Sequence, residues 1–111
     1  MPGGSAMTQA SPSSVTAEIR TVPDPVQVGA PFLAEIAVCV ENDIRVERIA
    51  IDATMPMHRH GMNYRPEIAR TEAGSFEARG LFFHMPGLWR VELLVYTGGR
   101  PVVLTHDIET E

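Results

Sequence analysis

The sequence predicts an all-β domain, an immunoglobulin-like antiparallel β-sandwich of about seven strands. Three observations carry that expectation. Short segments alternate apolar and polar residues with a period of two. Turn-forming Pro, Gly, Asn and Asp separate them at regular spacing. No window sustains the 3.6-residue period of a helix. With 111 residues and 44% hydrophobic composition, the chain suits one domain around one core.

Residues 1–14 are rich in Ser, Gly and Pro and read as a flexible leader, which leaves 15–109 for the sandwich. The leader has neither a basic n-region nor an apolar h-region, so it is not read as a signal peptide. Residues 15–22 alternate small or apolar with polar residues, and Pro23, Pro25, Gly29 and Pro31 then break the chain. The next strand, 32–40, puts Ala34, Ile36, Val38 and Val40 on one face. Glu41, Asn42 and Asp43 make a turn. In 46–54, Ile49, Ile51 and Ala53 share one face and Arg48 and Asp52 the other. Residues 66–70 read as a short edge strand, since Pro is tolerated at a strand start or edge. After a turn at 71–74, the strand 75–83 sets Phe76, Ala78 and Gly80 against Glu77 and Arg79. In 88–96, Trp89, Val91, Leu93 and Val95 share a face, with Trp89 expected between the sheets. Thr97-Gly-Gly-Arg100 is a hairpin turn, and 101–108 closes the fold.

Composition narrows the function. Net charge is −5, and all nine basic residues are Arg. An acidic, aromatic-poor surface lacks the basic stripe of a nucleic-acid binder. No apolar run approaches the ~18 residues of a membrane span. The one cysteine, Cys39, excludes an intrachain disulfide and reads as a small buried or half-buried hydrophobe in its strand. No Ser/His/acid or Cys/His arrangement and no phosphate-binding Gly loop is present, so the chain is not read as an enzyme.

The unusual feature is where Met and His fall. Four of six Met and three of four His lie in ten positions, 55–62 and 84–85. They form Met55-Pro-Met-His-Arg-His-Gly-Met62 and His84-Met-Pro-Gly87. In a sandwich each strand reverses direction, so every second loop shares an end. The connections after strands one, three and five then meet, which brings the two Met/His segments to one tip. Asp24 lies at that end too, and His106 on the last strand runs towards it.

Thioether and imidazole are the neutral ligands that suit copper. Thioether favours Cu(I), and imidazole tolerates both oxidation states. His58 and His60, two residues apart, leave extended backbone on the same face. Met57 and Met62 offer sulfur beside them, and His84 and Met85 offer a further nitrogen and sulfur from the facing loop. The expected metal ligands are therefore His58, His60, Met62, Met57, His84 and Met85. Zinc is the second choice, but Met adds nothing for zinc. A blue-copper centre needs a Cys thiolate, and none sits at this tip. Competing readings remain open here: Met55 and Met85 as fillers capping the open end of the sandwich, the His residues as solvated loop side chains, and Arg59 and Arg65 as charges opposing a cation.

Four runs resemble a family: Pro25-Val-Gln-Val-Gly-Ala-Pro-Phe32, then the Met/His segment 55–62, then Gly74-x-Phe76-x-Ala-x-Gly-Leu81, then Phe83-x-Met-Pro-Gly-x-Trp89. Over about 15–109 the chain is similar to the YtkA-like and FixH-like domains, small bacterial β-sandwiches that are exported or membrane-tethered. In that resemblance Met-Pro-Gly-x-Trp marks the fold, and His-x-His-Gly-Met implies metal. It implies a non-catalytic, periplasmic or membrane-anchored extracytoplasmic domain that carries or delivers copper, as Cu(I) or Cu(II). The implied partner is a membrane-bound copper enzyme or oxidase-assembly complex. It also favours a chain whose export signal or anchor has been removed over a cytosolic one. The rival reading is a metal-free accessory interaction module of a membrane complex. The oligomeric state is left open.

Overall fold

The structure is a computed structural model. It describes residues 4–9, 15–41, 45–58, 60–62, 65–72 and 74–110, with only the backbone of Gln9 and His60. Its strands are β1 (Ser5–Ala6), β2 (Thr8–Gln9), β3 (Val15–Val22), β4 (Phe32–Val40), β5 (Arg48–Met55), β6 (His60–Gly61), β7 (Glu67–Glu72), β8 (Ser75–Leu81), β9 (Gly87–Tyr96) and β10 (Val102–Thr110). Seven have six residues or more, as the alternation predicts. They form two antiparallel sheets, ordered β1-β3-β4-β8-β7 and β2-β10-β9-β5-β6. All-β class and sandwich architecture therefore follow the sequence reading.

The core is the set of inward positions that the period of two marks. Ile36, Val38, Ile51, Trp89, Val91, Leu93 and Val95 are all buried. Trp89 stacks on Phe83, with ring centroids 4.5 Å apart and planes 4° from parallel. Phe32 meets Phe83 edge-on at 4.9 Å. Offset and edge-on pairs of this kind add to the burial of their large apolar area.

Three expectations change. In β8, Phe76 and Ala78 face inward as expected, but Gly80 does not. Phe32 pairs with Leu81 and Ala34 with Ala78, so Leu33 alone faces Arg79 and Gly80. The extra residue is a β-bulge, and Gly80 takes φ +83°, which suits a residue without Cβ. The bulge resets the alternation, and Leu81 and Phe83 become the buried pair.

Cys39 is exposed. Its neighbour Val38 takes the inward position, and alternation turns Cys39 outward.

The third change concerns the leader. Ser5 and Ala6 pair with Ile19 and Glu18 of β3. Thr8 and Gln9 pair with Thr105 and Leu104 of β10. Between them Met7 is buried at 8% exposure, and its amide donates to the Ala17 carbonyl at 2.9 Å. Residues 5–9 thus strap the two sheets together along one side. Met7, the one buried side chain among the described ones of this segment, is the residue that ties it down.

Candidate functional site

The tip is built from the end of β5 outward. Met55 is the last residue of β5 and is 1% exposed. The chain then turns at Pro56 and Met57, closed by the His58 amide donating to the Met55 carbonyl at 3.2 Å. Pro at the second position of such a turn has its φ already set. The chain returns as β6, with His60 opposite Met55 and Gly61 opposite Thr54. The Met62 amide donates to the Ala53 carbonyl at 3.1 Å, extending the pairing by one residue.

The β8–β9 connection lies over the same end. Trp89 Nε1 donates to the Met85 carbonyl at 3.0 Å, and this ties the loop to the core. The His84 ring meets Trp89 edge-on, with centroids 5.5 Å apart. The Gly29 amide, from the β3–β4 connection, donates to the Phe83 carbonyl at 2.9 Å. Thr110 Oγ1 donates to the Gly87 carbonyl at 3.3 Å, which brings the end of β10 to the same place.

The two Met/His segments touch through Met55 and Gly87. A Cβ on Gly87 would lie 2.8 Å from Met55 Cε, and Gly87 has φ +130°. Strand reversal therefore brings segments some twenty-five residues apart to one end, as the topology argument expects. The buried Met55 is a strut under the β8–β9 loop rather than an open ligand. The filler alternative is the one realised for Met55.

The other named residues fall into two groups. Met57 is 80% exposed, and His58 and His84 are exposed. Met62 and Met85 are half-buried and pack against the core. Met62 also lines a groove with Arg65 and Ile68, so one positive charge lies beside it. His58 sits in the turn, so the extended-backbone premise that paired it with His60 does not apply there. The side chain of His60, and Arg59 altogether, lie outside the described residues. His106 does not join this set. It pairs with Val91 and borders a separate groove of about 150 Å³ with Arg20 and Asp24.

Among the described residues, no three His, Cys, Asp or Glu side chains gather as a metal-holding group. A metal held here would depend on thioether sulfur, or on the His60 imidazole, for part of its ligand set. The sequence pattern missed Gly87 as a contact point. Its signal was the Met-Pro-Gly run directly before a strand. Comparison of the chain with protein-family models, with curated proteins and with solved structures gives no match.

Proposed function

We propose that this chain is a non-catalytic copper-binding domain that carries or delivers copper through its Met/His tip. The supporting observation is that Met57, His58, His84 and Met85 lie on two segments joined at one end of the sandwich by the Met55–Gly87 contact. The ion takes its few ligands from among His58, His60, Met62, Met57, His84 and Met85, with His58 and His60 the preferred nitrogens and Met62 and Met57 the preferred sulfurs. Exposed His and Met beside half-buried Met suit a soft ion of low coordination number, which favours Cu(I) over zinc. An exposed turn also leaves the ion accessible to an acceptor, as delivery requires. The resemblance to YtkA-like and FixH-like domains points the same way. It adds a periplasmic or cell-surface location and a membrane-bound copper enzyme or oxidase-assembly complex as recipient.

The test is anaerobic competition titration of the purified chain with Cu(I) and, separately, with zinc. One equivalent of Cu(I) should bind, and binding should weaken at least roughly tenfold in His58→Ala/His60→Ala and in Met57→Leu/Met62→Leu. Zinc binding tighter than Cu(I), or Cu(I) affinity unchanged in both variants, overturns the reading. The metal-free interaction module would then take its place.

A further inference from the structure

We propose that Met57 is an oxidation switch at the tip. A hydroperoxide converts its thioether to the sulfoxide without disturbing the fold, and the modified side chain no longer serves as a soft ligand for Cu(I). The modification site stands on geometry alone, and its consequence for copper rests on the carrier reading above.

Methionine is oxidised through a sulfur lone pair, so its fate follows the exposure of the sulfur. The described methionines differ in that respect. Met55 is buried at the end of β5, with its Cε against Gly87. Met7 is buried beneath the strap. Met62 and Met85 are half-buried and pack against the core. Met57 stands 80% exposed, the one exposed methionine among those described. The backbone gives the reason. The His58 amide closes on the Met55 carbonyl, so Pro56 and Met57 are the central residues of a turn. Strand alternation, which sends Met55 inward, has ended there.

The step balances with a hydroperoxide as oxygen donor. The Met57 Sδ lone pair attacks the terminal peroxide oxygen, and an S–O bond forms as the O–O bond breaks. Sulfur gives up two electrons. The transferred oxygen passes its proton to the leaving oxygen, which departs as water from hydrogen peroxide. A dithiol reverses the change through sulfoxide-reductase chemistry: the two thiols become a disulfide, and the sulfoxide oxygen leaves as water.

The exposure that admits the oxidant also spares the fold. A sulfoxide is polar, and at Met55 it would place an unpaired oxygen in the core beside Gly87. At Met57 that oxygen meets solvent. The ligand set is not spared. Met57 and Met62 are the preferred sulfurs of the tip, and oxidation replaces a soft thioether by a hard oxygen donor, which Cu(I) does not favour. The lone pair that binds a soft ion is the one that attacks peroxide, so a bound ion shields Met57.

Cys39 is also exposed and oxidisable, so it is first capped with a maleimide. The full chain is then treated with hydrogen peroxide in metal-free buffer, and the added oxygen is located by peptide mass mapping. Met1 lies outside the described residues and is scored on its own peptide. Of the other methionines, Met57 should be oxidised first, with the urea midpoint unchanged. After removal of the peroxide, anaerobic competition should show Cu(I) bound at least roughly tenfold more weakly than before oxidation. Met57→Leu should gain no oxygen in that segment, and its remaining Cu(I) affinity should not change. Ag(I), a soft ion that peroxide does not cycle, should slow the oxidation of Met57 when added first, whereas zinc should not. Oxidation that begins at Met7, Met55, Met62 or Met85, a lower urea midpoint once Met57 is oxidised, or no protection by Ag(I) overturns the switch. So does a Met57 sulfoxide that binds Cu(I) as tightly as the unmodified chain, an outcome that leaves the carrier reading standing. Cu(I) refused by the unmodified chain removes the carrier reading itself, and the switch with it.

Discussion

Replacing Gly74 and Gly80 by Ala, one at a time, separates backbone strain from crowding. The two residues have nearly the same φ, +78° and +83°. That left-handed conformation costs an Ala about 1–2 kcal/mol. A smaller unfolded-state entropy returns about 0.4–1 kcal/mol. At Gly80 a new Cβ meets nothing within 4 Å, so the net cost should be about 1 kcal/mol. At Gly74 the new Cβ lies 2.8 Å from the carbonyl oxygen of Val38. The obstacle is backbone and cannot rotate away. The Val38 amide also donates to the Gly74 carbonyl at 2.7 Å, so relief by moving apart breaks that bond. A lost hydrogen bond at about 1 kcal/mol and displaced packing at about 1 kcal/mol bring Gly74→Ala to about 2–4 kcal/mol. Urea unfolding followed by Trp89 fluorescence reads both. With a slope of about 1.5 kcal/mol/M, Cm should fall by roughly 2 M for Gly74→Ala and by under about 1 M for Gly80→Ala. Equal shifts, or a larger one for Gly80→Ala, would refute the crowding argument.

Other outcomes follow from the same packing. Trp89→Ala should cost about 3–5 kcal/mol, and the native Trp89 emission should resist a soluble quencher. Ready quenching would mean that the tryptophan is not in the core. Cys39 should react with a thiol reagent in the native chain, one equivalent per molecule, whereas reaction only after denaturation would place it inside. Asp107 is held below the ordinary carboxylate range, first by the hydrogen bond from Arg90, against a partial opposing desolvation, and then by the charges of Arg90 and His106. Its contribution to stability is therefore present above the unfolded carboxylate pKa of about 3.9 and lost as pH falls through the lower folded value. Asp107→Asn should flatten the acid limb of the stability curve slightly, because both partners are about half exposed. Identical acid limbs in an NMR titration and unfolding series would remove Asp107 from that account.

Much of the sandwich was legible because burial and backbone period coincide. In β9 each inward position carries Trp, Val, Leu or Val, so alternation alone gives the buried face. The same rule, applied through Val38, turns Cys39 outward, although its apolar neighbourhood suggested otherwise. The rule fails where the period breaks. At Gly80 one inserted residue shifts the inward set by one, and only a Gly inside a strand hints at it. The strap at 5–9 was hidden for another reason. Its pairing depends on two sheet edges that exist only after folding, and one apolar residue, Met7, anchors it.

The tip shows what composition can and cannot tell. Clustering marked both segments, and strand reversal brought them to one end, because loop parity in an antiparallel sandwich follows from strand count alone. Clustering did not distinguish Met55 from Met57, two residues apart with the same side chain. Strand pairing made that distinction. Met55 continues the inward set Ile49, Ile51 and Ala53, so it packs beneath the opposite loop against Gly87. Met57 follows Pro56 into a turn, where the alternation has ended, and its thioether stands 80% exposed. One methionine thus fixes the distance between the two loops while another faces solvent. A conservative test separates the roles: Met55→Leu should lower stability with Cu(I) binding largely kept, and Met57→Leu should weaken Cu(I) binding with stability unchanged.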